Sequence, residues 1–198
     1  MAARSGMGDL ITELRQKTEA NTDDYTISGS TYWSDNQLQD ILDVHREDII
    51  FEQLQMYPVR ISGGSISYQD YRSDYGFLEA TTGGTAILYL QESTGAKIGT
   101  ANYTTDKRRG QFQFSSDQAG SVYYMTGRSY DLEAAAASVW RQKAAHYAPT
   151  SFNFETDNHR IDRAQVYEHC VEMAQHFENQ GGDSISSVSM FRGDVSGD

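Results

Sequence analysis

The chain has 198 residues and a formal net charge of -12 at pH 7, with 38% hydrophobic residues and a mean hydropathy of -0.63. This length suits one compact domain or two small ones that share a core. No apolar run approaches the roughly 20 residues of a membrane-spanning helix. An acidic surface repels phosphate, which argues against tight binding of nucleic acid.

Two features of the sequence indicate the cellular compartment. The first ten residues, MAARSGMGDL, lack the apolar stretch of a signal peptide. The single cysteine, Cys170, excludes a disulfide within the chain. Both features are typical of a protein that folds in a reducing compartment, so we expect a cytosolic product.

Two helices are predicted in the first 57 residues, over 8–20 and from Ser34 to about residue 50, with a polar loop at 21–31 between them. Ser34 and Gln37 match a capping box, and Trp33 and Leu38 have the spacing of a hydrophobic staple. The second helix should end near residues 51–55. Its apolar stripe includes Leu38, Ile41 and Leu42.

Residues 58–127 change from helical periodicity to alternation of apolar and polar residues. The turn signals Gly63-Gly64 and 93–95 separate short runs that recur about every ten residues. This spacing favours a small antiparallel β-rich domain. Because the block interrupts the helices, we interpret it as an insertion between the second and third helix.

A third helix is predicted over 130–148, with Ser129 or Asp131 as its cap and Pro149 at its end. Acidic residues at its start and basic residues near its end complement the helix dipole. Its apolar face includes Leu132, Ala136, Val139 and Trp140.

A fourth helix is predicted over about 160–179, capped by Asp157-Asn158 and ended by Gly181-Gly182. Its apolar stripe includes Tyr167, Cys170, Ala174 and Phe177. We therefore predict an α+β fold: a bundle of about four helices, contributed by 1–57 and 128–180, with a β-rich domain inserted at 58–127. Residues 181–198 form an extended, flexible C-terminal arm in this interpretation.

No motif for catalysis stands out, and we expect neither enzymatic activity nor a cofactor. His169 and His176 are seven residues apart, whereas zinc sites usually need closer pairs and a third ligand. Cys170 lies on an apolar stripe and is interpreted as a core residue. The basic cluster 107–109 favours a solvated hairpin end, with contact to an acidic partner or DNA phosphate as the functional alternative.

Three segments of the chain carry a resemblance to a known family. They are TTDKRRGQFQFSSDQAGSVYYMTG (104–127), GRSYDLEAAAASVWRQKAAHYA (127–148) and FNFETDNHRIDRAQVYEHCVEMAQHF (152–177). They resemble the head–tail adaptor (connector) proteins of tailed bacteriophages, in particular larger members with a β-rich insertion. The capped helix at 34–50 lies where the family has an early helix. One departure is Ala164, where a serine is expected after Arg163.

The resemblance implies a structural protein of the virion neck, assembled in the host cytoplasm as a homo-oligomeric ring, usually twelve-fold. Such a ring binds the portal above and a head-closure or tail-terminator protein below, and DNA passes through its channel without sequence-specific binding. No membrane partner is implied. In such adaptors the C-terminal segment often docks on the portal, a role that would fall here to Ile185, Val188, Met190, Phe191 and Arg192.

Two alternatives stay open from the sequence. The tyrosine-rich β domain could recognise a carbohydrate or surface polymer in a monomeric binding module, with the helices as its mount. An enzyme with an unrecognised site is the other alternative, and its first candidate residues would be His146, His159 and His169.

Overall fold

The computed structural model describes residues 3–61, 63–79, 87–150, 153–156, 159–162 and 164–181. For the described residues between 150 and 163 it describes the backbone only. Within these ranges the chain has the predicted α+β fold. Four helices pack together, and most of the strands lie between the second and the third. The described helices are α1 (Gly8–Thr18), α2 (Asp35–Val44), α3 (Leu132–Tyr147) and α4 (Ala164–Gly181).

Helix α3 lies at the centre of the bundle and contacts each of the other three helices. The predicted caps are confirmed at two helix starts. The Ser34 hydroxyl accepts from the Gln37 N–H while the Gln37 side chain accepts from the Ser34 N–H, which completes the capping box of α2. The Asp131 carboxylate accepts from the N–H of Ala134 at 2.9 Å and caps α3.

The eleven described strands form two main sheets and two separate hairpins, all antiparallel. The sheets have the strand orders β3-β9-β6 and β4-β5-β8-β7, and the hairpins are β1-β2 and β10-β11. The strand bounds are β1 Tyr25–Ile27, β2 Ser30–Tyr32, β3 Arg46–Gln53, β4 Gln55–Arg60, β5 Ile66–Arg72, β6 Tyr89–Glu92, β7 Tyr103–Asp106, β8 Gln111–Phe114, β9 Tyr123–Tyr130, β10 Asn153–Thr156 and β11 His159–Asp162.

The chain passes from the first main sheet to the second at Leu54, which is buried and donates its N–H to the Tyr123 carbonyl. The two sheets enclose a core of their own, separate from the core of the helices. This β core consists of Ile49, Leu54, Tyr71, Leu78, Leu88, Leu90, Tyr103, Phe112, Phe114, Tyr123 and Met125.

The predicted end of the second helix, near residues 51–55, is wrong by at least seven residues. Helix α2 stops at Val44, and β3 begins at Arg46. Strand β3 pairs with β9 from Arg46 opposite Tyr130 onward. The β-branched Ile49 and Ile50 suit a strand, and pairing with a strand 80 residues away cannot be found from local periodicity.

Two further segments differ from their predictions because each forms a local hairpin. Residues 21–31, predicted as a loop, contain β1 and part of β2, joined by Ser28 and Gly29 at φ values of 49° and 83°. Positive φ at both turn residues matches the right-handed twist of a two-residue hairpin. The fourth helix was predicted from about residue 160, but residues 159–162 form β11 and pair with β10, so α4 begins only at Ala164.

The helical core contains the eleven residues for which bundle packing was predicted. Ten of them are buried in one cluster, and Tyr167 packs against it partly buried. Burial also raises the pKa of the Cys170 thiol, which fits a packing role. The ten are Leu38, Ile41, Leu42, Leu132, Ala136, Val139, Trp140, Cys170, Ala174 and Phe177.

Candidate interaction surfaces

A charged cluster joins the helical bundle to the β-rich part. The Glu79 side chain is fully buried and accepts from Arg4 Nε at 3.0 Å and from the Tyr130 hydroxyl at 2.8 Å. Arg128 Nη1 lies 3.4 Å from the second carboxylate oxygen of Glu79. Arg4 also holds Asp43 of α2 through two bonds of 2.6 and 2.7 Å.

This cluster fixes how the two parts of the chain meet. Arg4 precedes α1, Asp43 belongs to α2, and Arg128 and Tyr130 end β9, so one network ties four segments together. Hydrogen bonding to Arg4 lowers the pKa of Asp43, while burial raises the pKa of Tyr130. The two parallel hydrogen bonds between Arg4 and Asp43 make a strong and directional ion pair. The network therefore supports a rigid junction.

The Asp43 carboxylate predicts a specific pH dependence. Because the folded-state pKa of Asp43 is lowered, its stabilising contribution is complete above the ordinary value near pH 4 and is lost as the pH falls through the folded value. Asp43→Asn is expected to be less stable than the wild type at pH 7, with a gap that shrinks below about pH 4. Denaturant unfolding of both proteins between pH 3 and 7 measures this gap, and a gap that does not change with pH would contradict the pairing.

The basic cluster predicted as a solvated hairpin end lies partly against helix α1. Arg108 Nη2 pairs with Glu13 Oε1 at 2.8 Å, and Lys107 Nζ lies 3.5 Å from the carboxylate of Asp9. Arg109 is exposed. Arg108 is also exposed, with 70% of its side chain accessible, so the solvated interpretation fits both arginines, while the surface ion pairs of Arg108 and Lys107 link the β7–β8 turn to the bundle.

The β4–β5 hairpin carries an exposed apolar tip. The exposed fractions of Val59, Ile61 and Ile66 are 49%, 50% and 53%. The turn Gly63-Gly64 lies between the last two and closes with a bond from the Gly64 N–H to the Ile61 carbonyl at 3.2 Å. The alternating pattern around Gly63-Gly64 predicted the hairpin, but it did not indicate that these side chains face solvent.

An open apolar groove runs between α3 and α4. It has a volume of about 380 Å³, and four of its nine lining residues are alanines: Ala144, Ala145, Ala148 and Ala174. Tyr167 and Val171 form its α4 wall, and an ion pair between Arg141 and Glu178 lies at one end.

The histidines whose side chains are described lie at separate positions. His146 stacks on Tyr25 with ring centroids 3.9 Å apart, and His45 Nε2 is 2.9 Å from the Ser138 hydroxyl. His169 meets the Trp140 ring edge-on. His159 lies in β11, where side chains are not described. Across the described side chains, no group of three or more His, Cys, Asp or Glu is placed to hold a metal ion.

The tyrosines of the β-rich part are divided between core and surface. Tyr71, Tyr103 and Tyr123 are buried in the β core, and burial raises the pKa of Tyr71 to about 12. Tyr57 is 39% exposed, with the Arg72 guanidinium 4.1 Å from the centre of its ring. Three of the seven tyrosines in 58–127, the block that suggested a carbohydrate-binding surface, thus pack in the β core.

The predicted portal-docking residues Ile185, Val188, Met190, Phe191 and Arg192 lie outside the described residues. The last described residue, Gly181, ends α4 beside the start of α3, where a side chain at this position would contact Glu133 and Asp131.

No protein-family model matches the chain, and a search of curated proteins also gives no match. In the part of the chain that the structure describes, none of the helices has the length and apolar character to cross a membrane.

Proposed function

We propose that this protein is a structural head–tail adaptor of a tailed-phage neck. In this proposal it forms a ring below the portal, bridges the portal to a head-closure or tail-terminator protein, and lines the channel through which DNA passes. In this proposal the protein assembles in the host cytoplasm, becomes part of the virion, and has a structural rather than a catalytic role.

The architecture is the observation that carries the proposal. The described chain has two helices, a β-rich part and two further helices in that order, with a short hairpin between the helices of each pair, and α3 contacts the other three helices. This order is what the resemblance of 104–148 and 152–177 implies for a larger adaptor with an insertion. A bundle held to its insertion by the Glu79 cluster is a suitable rigid unit for a ring.

Surface chemistry also supports an assembling protein. The net charge of -12 suits a channel wall that must not retain DNA. The exposed aliphatic side chains on the β4–β5 hairpin are typical of a surface that another protein covers.

The test combines imaging with a mass measurement. Purified protein is mixed with portal-bearing particles and examined by negative-stain microscopy, while light scattering gives the mass of the protein alone. Rings below the portal are the expected result. A protein that stays monomeric and never joins the particles would overturn the proposal and favour the carbohydrate-binding alternative, for which ligand-induced changes in tyrosine fluorescence are the direct measurement.

Deletion of residues 184–198 is expected to preserve the fold and abolish attachment to the portal. The described core clusters include no residue beyond Phe177, so the truncated chain retains all of their side chains. The measurements are the melting temperature and the fraction of particles that carry a ring. Normal attachment of the truncated protein would exclude the arm as the docking element, and replacement of 184–198 by a Gly/Ser segment of equal length controls for chain length.

A further inference from the structure

Six charged side chains of alternating sign form a continuous chain from α2 to the exposed side of β3. Each neighbouring pair is in contact, at N–O distances between 2.6 and 3.4 Å. The Glu79 cluster is the inner part of this chain, and the outer part lies on β9 and β3. In order, the six residues are Asp43, Arg4, Glu79, Arg128, Asp48 and Arg46.

Solvent exposure rises steeply along the outer part of the chain. The Glu79 side chain is fully buried, the Arg128 side chain is 32% exposed, and the Asp48 side chain is 52% exposed. Arg128 therefore connects a buried carboxylate to one at the surface. Dissolved salt screens an exposed ion pair far more than a buried one, so the two contacts of Arg128 differ in their response to ionic strength.

The Arg128 guanidinium is divided between these two carboxylates. Its Nη1 lies 3.4 Å from Glu79 Oε2, and its Nε lies 3.3 Å from Asp48 Oδ1. Both distances exceed the roughly 2.7–3.2 Å of a well-formed N–H···O bond. By contrast, Arg4 lies 3.0 Å from Glu79 and 2.6 Å from Asp43. Arg128 is thus held loosely from two sides, and a shift toward one carboxylate weakens its contact with the other.

Weakening of the outer contact is expected to strengthen the inner one. Asp48 also pairs with Arg46 through two contacts of 3.1 Å. Loss of the Asp48 charge leaves two arginines of neighbouring strands without the carboxylate that they share, and their mutual repulsion favours a shift of Arg128 toward Glu79. A buried carboxylate gains more from a nearby cation than an exposed one does, because the surroundings have a lower dielectric constant.

We propose that Arg128 is an ionic-strength-sensitive switch at the junction of the β-rich part and the helical bundle. At low ionic strength Asp48 draws the guanidinium outward. As salt rises, the exposed contact is screened and the guanidinium moves to Glu79, so the junction that Glu79 forms with Arg4 and Tyr130 is held more firmly. The switch operates within one copy of the chain and does not depend on the proposed ring.

Amide hydrogen exchange of the full-length protein, followed by NMR, tests this switch. One reporter is the N–H of Glu79, which donates to the Arg128 carbonyl at 3.0 Å. The other is the N–H of Arg4, which donates to the Gln39 side chain at 2.6 Å. An increase in NaCl from about 20 to about 300 mM shortens the Debye length several-fold. Both amides are expected to exchange about threefold more slowly at the higher salt, a change that matches the strength of a partly exposed ion pair.

A single substitution isolates the outer contact. Asp48→Ala is expected to slow the same two amides about threefold at low salt and to abolish their dependence on salt, because the outward pull on Arg128 is removed. An ordinary surface ion pair predicts the opposite, namely exchange that is unchanged or faster after the loss of its carboxylate. Glu92→Ala is the matched control, since it removes an exposed carboxylate from β6 of the same sheet. Its exchange should keep the wild-type salt dependence.

A double substitution tests whether Arg128 carries the effect. Arg128→Met keeps the aliphatic stem and removes the guanidinium, so no cation joins the two carboxylates. In this background Asp48→Ala should no longer change the exchange of Glu79 or Arg4. Circular dichroism confirms that each variant folds, and the wild-type salt series needs no variant at all.

The possible outcomes are decisive for the switch. Exchange that is unchanged or faster at high salt, or in Asp48→Ala, would overturn it. An effect of Asp48→Ala that persists in the Arg128→Met background would overturn it as well, because the coupling would then follow another route. None of these results bears on ring formation, which is measured separately on portal-bearing particles.

Discussion

Replacement of Trp140 by alanine is expected to destabilise the protein by about 3–5 kcal/mol. The indole is only 4% exposed in the middle of α3, and its Nε1–H donates to the Lys17 carbonyl near the end of α1. The substitution removes the largest side chain of the α3 core face and leaves a cavity where helices meet, because the surrounding backbone relaxes only in part. Chemical denaturation gives the free energy of unfolding.

Trp140→Phe is the matched control for this prediction. It retains most of the buried aromatic surface but loses the hydrogen bond to Lys17, so it should cost clearly less than alanine. A melting temperature that barely changes in Trp140→Ala would mean that the indole faces solvent, contrary to its position in the structure.

Replacement of Glu79 by alanine is expected to cost about 3 kcal/mol. Its carboxylate is fully buried and accepts from Arg4 and Tyr130. Removal of one partner from a buried charge network leaves the others unpaired, at a cost of about 3–5 kcal/mol. The Arg4 and Arg128 side chains are each about a third exposed (33% and 32%), so they regain some hydration and the lower end of this range applies.

Two variants make the Glu79 prediction specific to the buried charge. Glu79→Gln keeps the size and an acceptor for Tyr130, so its loss should be intermediate. Glu92→Ala removes an exposed carboxylate from β6 and should change stability by less than about 0.5 kcal/mol. Equal effects at positions 79 and 92 would show that the junction does not depend on the Glu79 network.

The bundle of helices could be predicted from sequence because its signals are local. The capping box at Ser34, the Asp131 cap and the apolar stripe of α3 each depend on residues within two turns of one another. The same is true of the antiparallel β-rich part, whose alternation and turn signals lie within each hairpin. These features determine the α+β class and part of the helical core.

Contacts between distant segments were decided only by the tertiary structure. Strand β3 replaces a predicted helical turn because its partner, β9, lies some 80 residues later. Glu79 could not be distinguished from other carboxylates of the chain until folding brought Arg4 and Tyr130 to it. Lys143 is buried on α3 because its ammonium pairs with Asp24 at 3.0 Å and donates to the carbonyls of Thr18 and Glu19 at the end of α1.

The sequence by itself thus determined the helical and β-rich parts, their order and ten of the buried residues of the helical core, since hydrophobic periodicity and capping act over a few residues. The tertiary structure alone decided which charges are buried and which aliphatic side chains of the β4–β5 hairpin face solvent. Those properties depend on which distant surfaces cover one another, and short-range patterns carry no information about that.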